Sequence, residues 1–207
     1  MSDIVDEINR MHRETGTRQV ASGQARSLLM RRTYDAEVAD VWDAVTSPER
    51  IGRWFLPVSG ELKVGGRYQL EGNAGGEILA CEAPTLLRVS WLFGPDPGFS
   101  EVELRLAPDG EERTVFELEH VAVVPEEFWG QFGAGATGVG WDLGLVSLGR
   151  HLRGEDIDPS TWEGSPDALV GAEHSARAWG EASLAAGDPA DEVAAQVAAT
   201  TKFYTTG

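Results

Sequence analysis

The chain has little positive charge. Its 17 lysines and arginines face 34 aspartates and glutamates, and only two of them, Lys63 and Lys202, are lysines. Phosphate backbones and anionic headgroups are bound by clustered cations, and no such cluster occurs along these 207 residues. Nucleic acid and membrane are therefore excluded as expected partners. The formal net charge of -17 reads as a solvated surface that favours solubility. A single cysteine, Cys81, rules out an internal disulfide, and it has no basic neighbour to activate its thiol. No run approaches the roughly 18 apolar residues of a spanning helix. The opening MSDIVDEINRM has neither the basic nor the apolar region of a signal peptide, so a cytoplasmic location is expected. Catalytic signatures are missing too: no HExxH, CxxC, GxSxG, P-loop or dinucleotide glycine pattern occurs in a fitting context. The four histidines, His12, His120, His151 and His174, are scattered. No metal and no cofactor is expected.

What is there is an ordered series of short elements. Residues 1–26 are mostly polar; Ile4, Ile8 and Met11 stand near helical spacing, and GTRQVASGQ reads as a flexible connector. The segment is expected to be mobile or to act as a clasp. A strand is expected over 27–36. A helix follows with Val38, Val41, Trp42 and Val45 on one face, then a second with Ser47 as N-cap, Pro48 at N1 and Ile51, Trp54 and Phe55 on its apolar side. Strands are expected over 65–72, 75–84, 85–94, 100–110 and 113–123, where apolar and polar residues alternate. Val102, Leu104 and Leu106 share one face of their strand, and Phe116, Leu118 and His120 share one face of theirs. A long helix follows with Trp141, Leu145, Leu148 and Leu152 on one stripe. It is preceded by glycines 133, 135, 138 and 140, which permit a bend or a close backbone approach.

The remaining segment is acidic and alanine-rich. Leu169, Ala172, Ala176 and Trp179 fit one helix, and Asp188-Pro189 opens another with Val193, Val197 and Tyr204 near one face. Trp179, Phe203 and Tyr204 are its expected anchors. Three roles are open to it: a lid, a homodimer bridge, or an appendage packed on the outer side of the sheet.

This order predicts an α+β fold in which a curved antiparallel sheet wraps a long helix and leaves a cavity, with the opening helix pair closing one end. The expected division is an N-terminal segment over 1–26, a ligand-binding domain over 27–153 and a helical extension over 154–207.

The stretches VWDAVTSPERIGRWF, GGRYQL, GGEILACEAPTLLRVSW, RTVFELEH and GWDLGLVSLGRHL, taken in order, resemble the helix-grip fold of the START/SRPBCC superfamily. They are most similar to the branch named after the activator of the heat-shock chaperone ATPase. The tail looks like an extension found on some actinobacterial members. The resemblance implies a cavity that takes hydrophobic small molecules, and it does not choose a reaction. The superfamily spans carriers, metabolite binders, aromatic polyketide cyclases, chaperone cofactors, and proteins that protect enediyne producers by being cleaved in place of DNA.

The expected ligand-binding residues are Trp54, Tyr68, Trp91, Phe93, His120, Phe132, Trp141 and Leu145, forming an aromatic-lined small-molecule site. The bland alternative for each aromatic is core filling. His120 is the one candidate for acid–base work; the alternative is a structural histidine bonded to a neighbour. Glu117 and Glu119 should face water by strand alternation, Glu77 stands beside glycines that favour a bulge, and Asp142 is placed at the pocket edge. No catalytic pair stands out, so binding of a hydrophobic, aromatic ligand is expected, with sequestration or self-sacrifice against an enediyne-type product as one use. In that use the glycines of FGAGATGVGW would be sites of hydrogen abstraction. A cyclase using His120 and a carboxylate is the alternative.

Overall fold

The computed structural model describes residues 4–95, 98–155, 158–162 and 164–206. The first three residues of the expected N-terminal segment lie outside them. Helix α1 (Ile4–Asn9) leads into β1 (His12–Val20) and β2 (Gly23–Tyr34), followed by α2 (Val38–Thr46) and α3 (Pro48–Trp54). Strands β3 (Val58–Gly60), β4 (Arg67–Leu70), β5 (Gly75–Glu82), β6 (Leu86–Ser90), β7 (Ser100–Pro108) and β8 (Thr114–Ala122) come next. Helices α4 (Glu126–Phe132), α5 (Gly135–Leu152), α6 (Pro159–Trp162), α7 (Pro166–Ala186) and α8 (Ala190–Thr205) complete the chain. The eight strands form one curved sheet in the order β1-β2-β8-β7-β6-β5-β4-β3, antiparallel throughout. Helix α5 lies against it, and α2 and α3 close one end, as in a helix-grip fold.

Residues 16–24, expected to be a flexible connector, are instead strand and tight turn: β1 pairs with β2 from His12↔Arg31 to Val20↔Gly23 around the two-residue turn at 21–22. Helix α1 packs beside this hairpin, with Ile4, Glu7 and Ile8 buried. Glu7 is held there by Arg32, whose Nη2 donates to Oε2 at 2.8 Å, both side chains being almost wholly buried.

The C-terminal helices do not sit on the outer side of the sheet. Helix α7 packs against α5, α1 and β1, and so extends the helical layer. Its docked stripe is small: Ala168, Gly171, Ala172, Ser175, Ala176, Gly180 and Ser183 let the backbones approach, and Trp179 fills the remaining space at 1% exposure. Ser165 caps its start, the Oγ accepting from Ala168 N at 3.1 Å, and Gly187 ends it at φ 99°. Tyr204 anchors α8 by donating to Ala136 O at 2.6 Å, whereas Phe203, expected as an anchor, is 59% exposed.

The glycines before and within the start of α5 serve this packing. A side chain at Gly133 would meet Gln196, one at Gly135 Thr200, and one at Gly138 the Trp179 ring. Gly138→Ala is expected to lower stability by about 1–2 kcal/mol, because the clash with a buried indole outweighs the gain in helix propensity. Urea denaturation measures it, and an unchanged midpoint would mean that the two helices are not packed this closely.

Candidate ligand cavity

Alternate residues of the strands and one side of α3 and α5 enclose a cavity of about 330 Å³. Strands β7 and β8 supply Val102, Leu104, Phe116 and Leu118 by their period-2 alternation, and β4 supplies Tyr68 and Leu70. Helix α3 brings Ile51 and Trp54, with Phe55 just beyond it, and α5 brings Trp141 and Leu145. The wall turns exposed at Pro48 and residues 59–62, which form the rim. No described residue beyond Leu145 lines the space, so the C-terminal helices are not its lid.

Five of the eight expected residues stand on this wall: Trp54, Tyr68, Trp91, Trp141 and Leu145. Their rings form two groups. Trp54 and Phe55 stack at 5.5 Å and 25°, while Trp91 stands 6.3 Å from Tyr68 and 4.9 Å from Trp141. Three expected residues are elsewhere. Phe93 lies past the end of β6, where alternation no longer orients side chains, and is 64% exposed. Phe132 ends α4 and packs on Phe128 and Phe203, with rings 5.1 and 5.7 Å away.

His120 follows Phe116 and Leu118 on the inner face, yet it is off the wall, because Trp141 crosses in front of it. The Trp141 indole donates to His120 Nδ1 at 3.0 Å, so the ring proton sits on Nε2 and is donated to Ser100 Oγ at 2.9 Å. Burial holds the imidazole at a pKa of about 4. It is a neutral, fully bonded strut that keeps the Trp141 ring in place.

Three other polar groups of the wall are spent in the same way. Trp54 Nε1 donates to Ala44 O at 2.9 Å, Tyr68 Oη to Ser90 O at 2.8 Å and Thr46 Oγ1 to Trp42 O at 2.6 Å. Burial pushes the Tyr68 phenol upward, so it stays neutral. Among the described residues the one carboxylate on the wall is Glu61, at the rim and 2.5 Å from Lys63 Nζ. Glu117 and Glu119 point outward, as the alternation expects, and pair with Arg31 and Arg18 at 2.7 Å. Glu77 is exposed, and the bulge in β5 falls at Leu79 instead.

Asp142 is not at the pocket edge. It faces α7 and β1, where its Oδ2 accepts from Arg13 Nε at 2.8 Å, Trp179 Nε1 at 3.1 Å and Ser175 Oγ. Arg13 in turn donates to Ile8 O and Met11 O at 2.8 and 2.9 Å. This buried knot joins α1, β1, α5 and α7. Nothing local in the sequence marks it, because its members come from opposite ends of the chain.

The described wall is made mainly of aliphatic and aromatic side chains. Among the described residues it brings no acid and base together. A model of the family described as Activator of Hsp90 ATPase homolog 1-like protein matches residues 35–152. The crystal structure of CalU16 from Micromonospora echinospora is 37% identical over 83% of this chain and 97% of that one, with a TM-score of 0.67; its solution structure gives 0.70. DynU16, a protein of the dynemicin biosynthetic locus, is 24% identical over 63% of this chain and 48% of that one, at a TM-score of 0.52. The Aha1 dimer from Colwellia psychrerythraea is 16% identical over 61% of this chain and 95% of that one, at 0.51. The last two show a shared fold alone. No curated protein matches the chain. With the family pattern spanning the first helix pair, the strands that line the cavity and the helix that closes it, the chain belongs to the Activator of Hsp90 ATPase homolog 1-like family.

Proposed function

We propose that the chain binds a hydrophobic, aromatic small molecule in this cavity and makes or breaks no bond in it. The observation that carries the reading is the wall itself: about 330 Å³ enclosed by hydrocarbon and aromatic rings whose polar atoms are largely bonded within the protein. Such a space gains from excluding water from an apolar guest. A cyclase would need an acid–base pair at the substrate. His120 has both nitrogens engaged and stands behind Trp141, and the carboxylates near it point outward or toward α7. Binding is therefore the better-supported reading.

A natural product is one such guest, with protection of the producing cell by sequestration as one use. Self-sacrifice at FGAGATGVGW has less support, since Gly133, Gly135 and Gly138 are packed against the C-terminal helices and none of them lines the cavity.

Native mass spectrometry of protein purified from its own host tests the reading, with Trp91→Ala as control. A bound aromatic molecule is expected in the wild type and reduced about tenfold or more in the variant, from lost ring contact and buried area. An empty wild-type protein that also fails to take up anthracene in a fluorescence titration would overturn the reading.

A further inference from the structure

We infer that the cavity selects its ligand by where polarity lies on it: the guest is a planar arene whose hydrogen-bonding groups are confined to one end, held toward β3 and β4, with a bare hydrocarbon end buried against β7 and β8. This rests on the binding reading above and adds a chemical class to it.

The inference comes from an account of the wall's polar atoms. At the β7–β8 end the surface is Val102, Leu104, Phe116 and Leu118, with Leu145 above, and it offers no donor and no acceptor. The two polar groups nearest that end, His120 and the Trp141 indole, are consumed by each other and by Ser100. A ligand hydroxyl or carbonyl pushed there would be desolvated without a partner.

Remaining capacity is gathered at the other end. Among the described residues the Ser59 hydroxyl has no protein partner, and the Tyr68 oxygen, which donates to Ser90 O, keeps lone pairs to accept with. Tyr68 is the cross-strand neighbour of Gly60 on the rim strand β3. Ser59 and Glu61 are exposed at the same rim. At that rim Glu61 pairs with Lys63, while Arg67 of β4, beside Ser59 and Gly60, makes no ion pair among the described residues.

Isomers of one composition test the rule without changing overall hydrophobicity. The probes are 2,3-dihydroxyanthracene, with both hydroxyls at one end, and 2,6-dihydroxyanthracene, with one at each end. They are titrated anaerobically against the intact chain by quenching of its tryptophan emission. The 2,3-isomer is expected to bind about tenfold or more tightly, because the 2,6-isomer must bury one hydroxyl unpaired. Val102→Thr, which places a hydroxyl on the bare end, is expected to narrow the ratio by strengthening the 2,6-isomer alone. Equal affinities, or a preference for the 2,6-isomer, would overturn the polarity rule and leave the binding reading standing. Failure of both isomers and of anthracene to bind would overturn both.

Discussion

Asp142→Ala is expected to lower the stability of the chain by about 3–5 kcal/mol, the cost of leaving one partner of a buried ion pair without the other. Arg13 and Asp142 have side chains exposed by only 5% and 0%. Burial alone pushes the Asp142 carboxyl upward, and the Arg13 cation with the bonds from Ser175 and Trp179 works against that push. With the carboxylate gone, the guanidinium keeps its bonds to Ile8 O and Met11 O, and Ser175 Oγ and Trp179 Nε1 lose their acceptor. The loss is expected to spread, because the knot is where α1, β1, α5 and α7 meet. Urea denaturation followed by tryptophan fluorescence gives the number. The double variant Arg13→Met, Asp142→Leu is expected to recover most of it, since an apolar pair of similar size carries no charge to desolvate. A single variant within 1 kcal/mol of wild type would show that the knot is not a buried ion pair in solution.

That knot also marks the boundary of what the sequence discloses. Strands β4 to β8 are legible because alternation is local: Val102, Leu104, Phe116 and Leu118 share a parity, and the sheet needs nothing else to turn them inward. Helices α2 and α3 are legible from spacing and from Ser47-Pro48, although the Ser47 hydroxyl makes no capping bond. Strand β1 is not legible. Its residues HRETGTRQV carry no apolar alternation, for it is an edge strand held by pairing with β2 and by Arg13 reaching α5. Helix α5 exposes a different limit. It is buried nearly all round, between the sheet and α7, so its pattern does not say which side meets the cavity. Trp141 and Asp142 are adjacent in sequence, but a step of about 100° around the helix sends one to the cavity and the other to α7. Phe93 shows a third limit: a parity argument holds only while the strand lasts, and β6 ends at Ser90. Because α5 turns Trp141 in front of it, His120 has its parity read correctly and its role left open.

The His120 strut sets the second large effect, a loss of stability in mild acid. The imidazole titrates near 4 in the folded protein against an ordinary value of 6.5. The unfolded chain therefore takes up a proton on falling through pH 6.5, while the folded protein does not until about pH 4. This contribution is fully present above pH 6.5, declines by up to about 1.4 kcal/mol per pH unit below it, and levels off near pH 4 after a loss of about 3 kcal/mol. His151 acts in the same direction: partial burial, then the Arg50 and Arg53 cations beside it, hold its pKa below the ordinary value. Subtracting the stability profile of His120→Gln from that of wild type isolates the strut, because the titrations common to both cancel. Glutamine can accept from the Trp141 indole and donate to Ser100 without titrating. The difference is expected to favour wild type at pH 7.5 and to shrink, or reverse, toward pH 4. A difference that stays constant from pH 7.5 to pH 4 would mean that His120 is protonated as readily in the folded protein as in the unfolded chain. The imidazole would then be open to water and to a ligand, and no longer sealed behind Trp141.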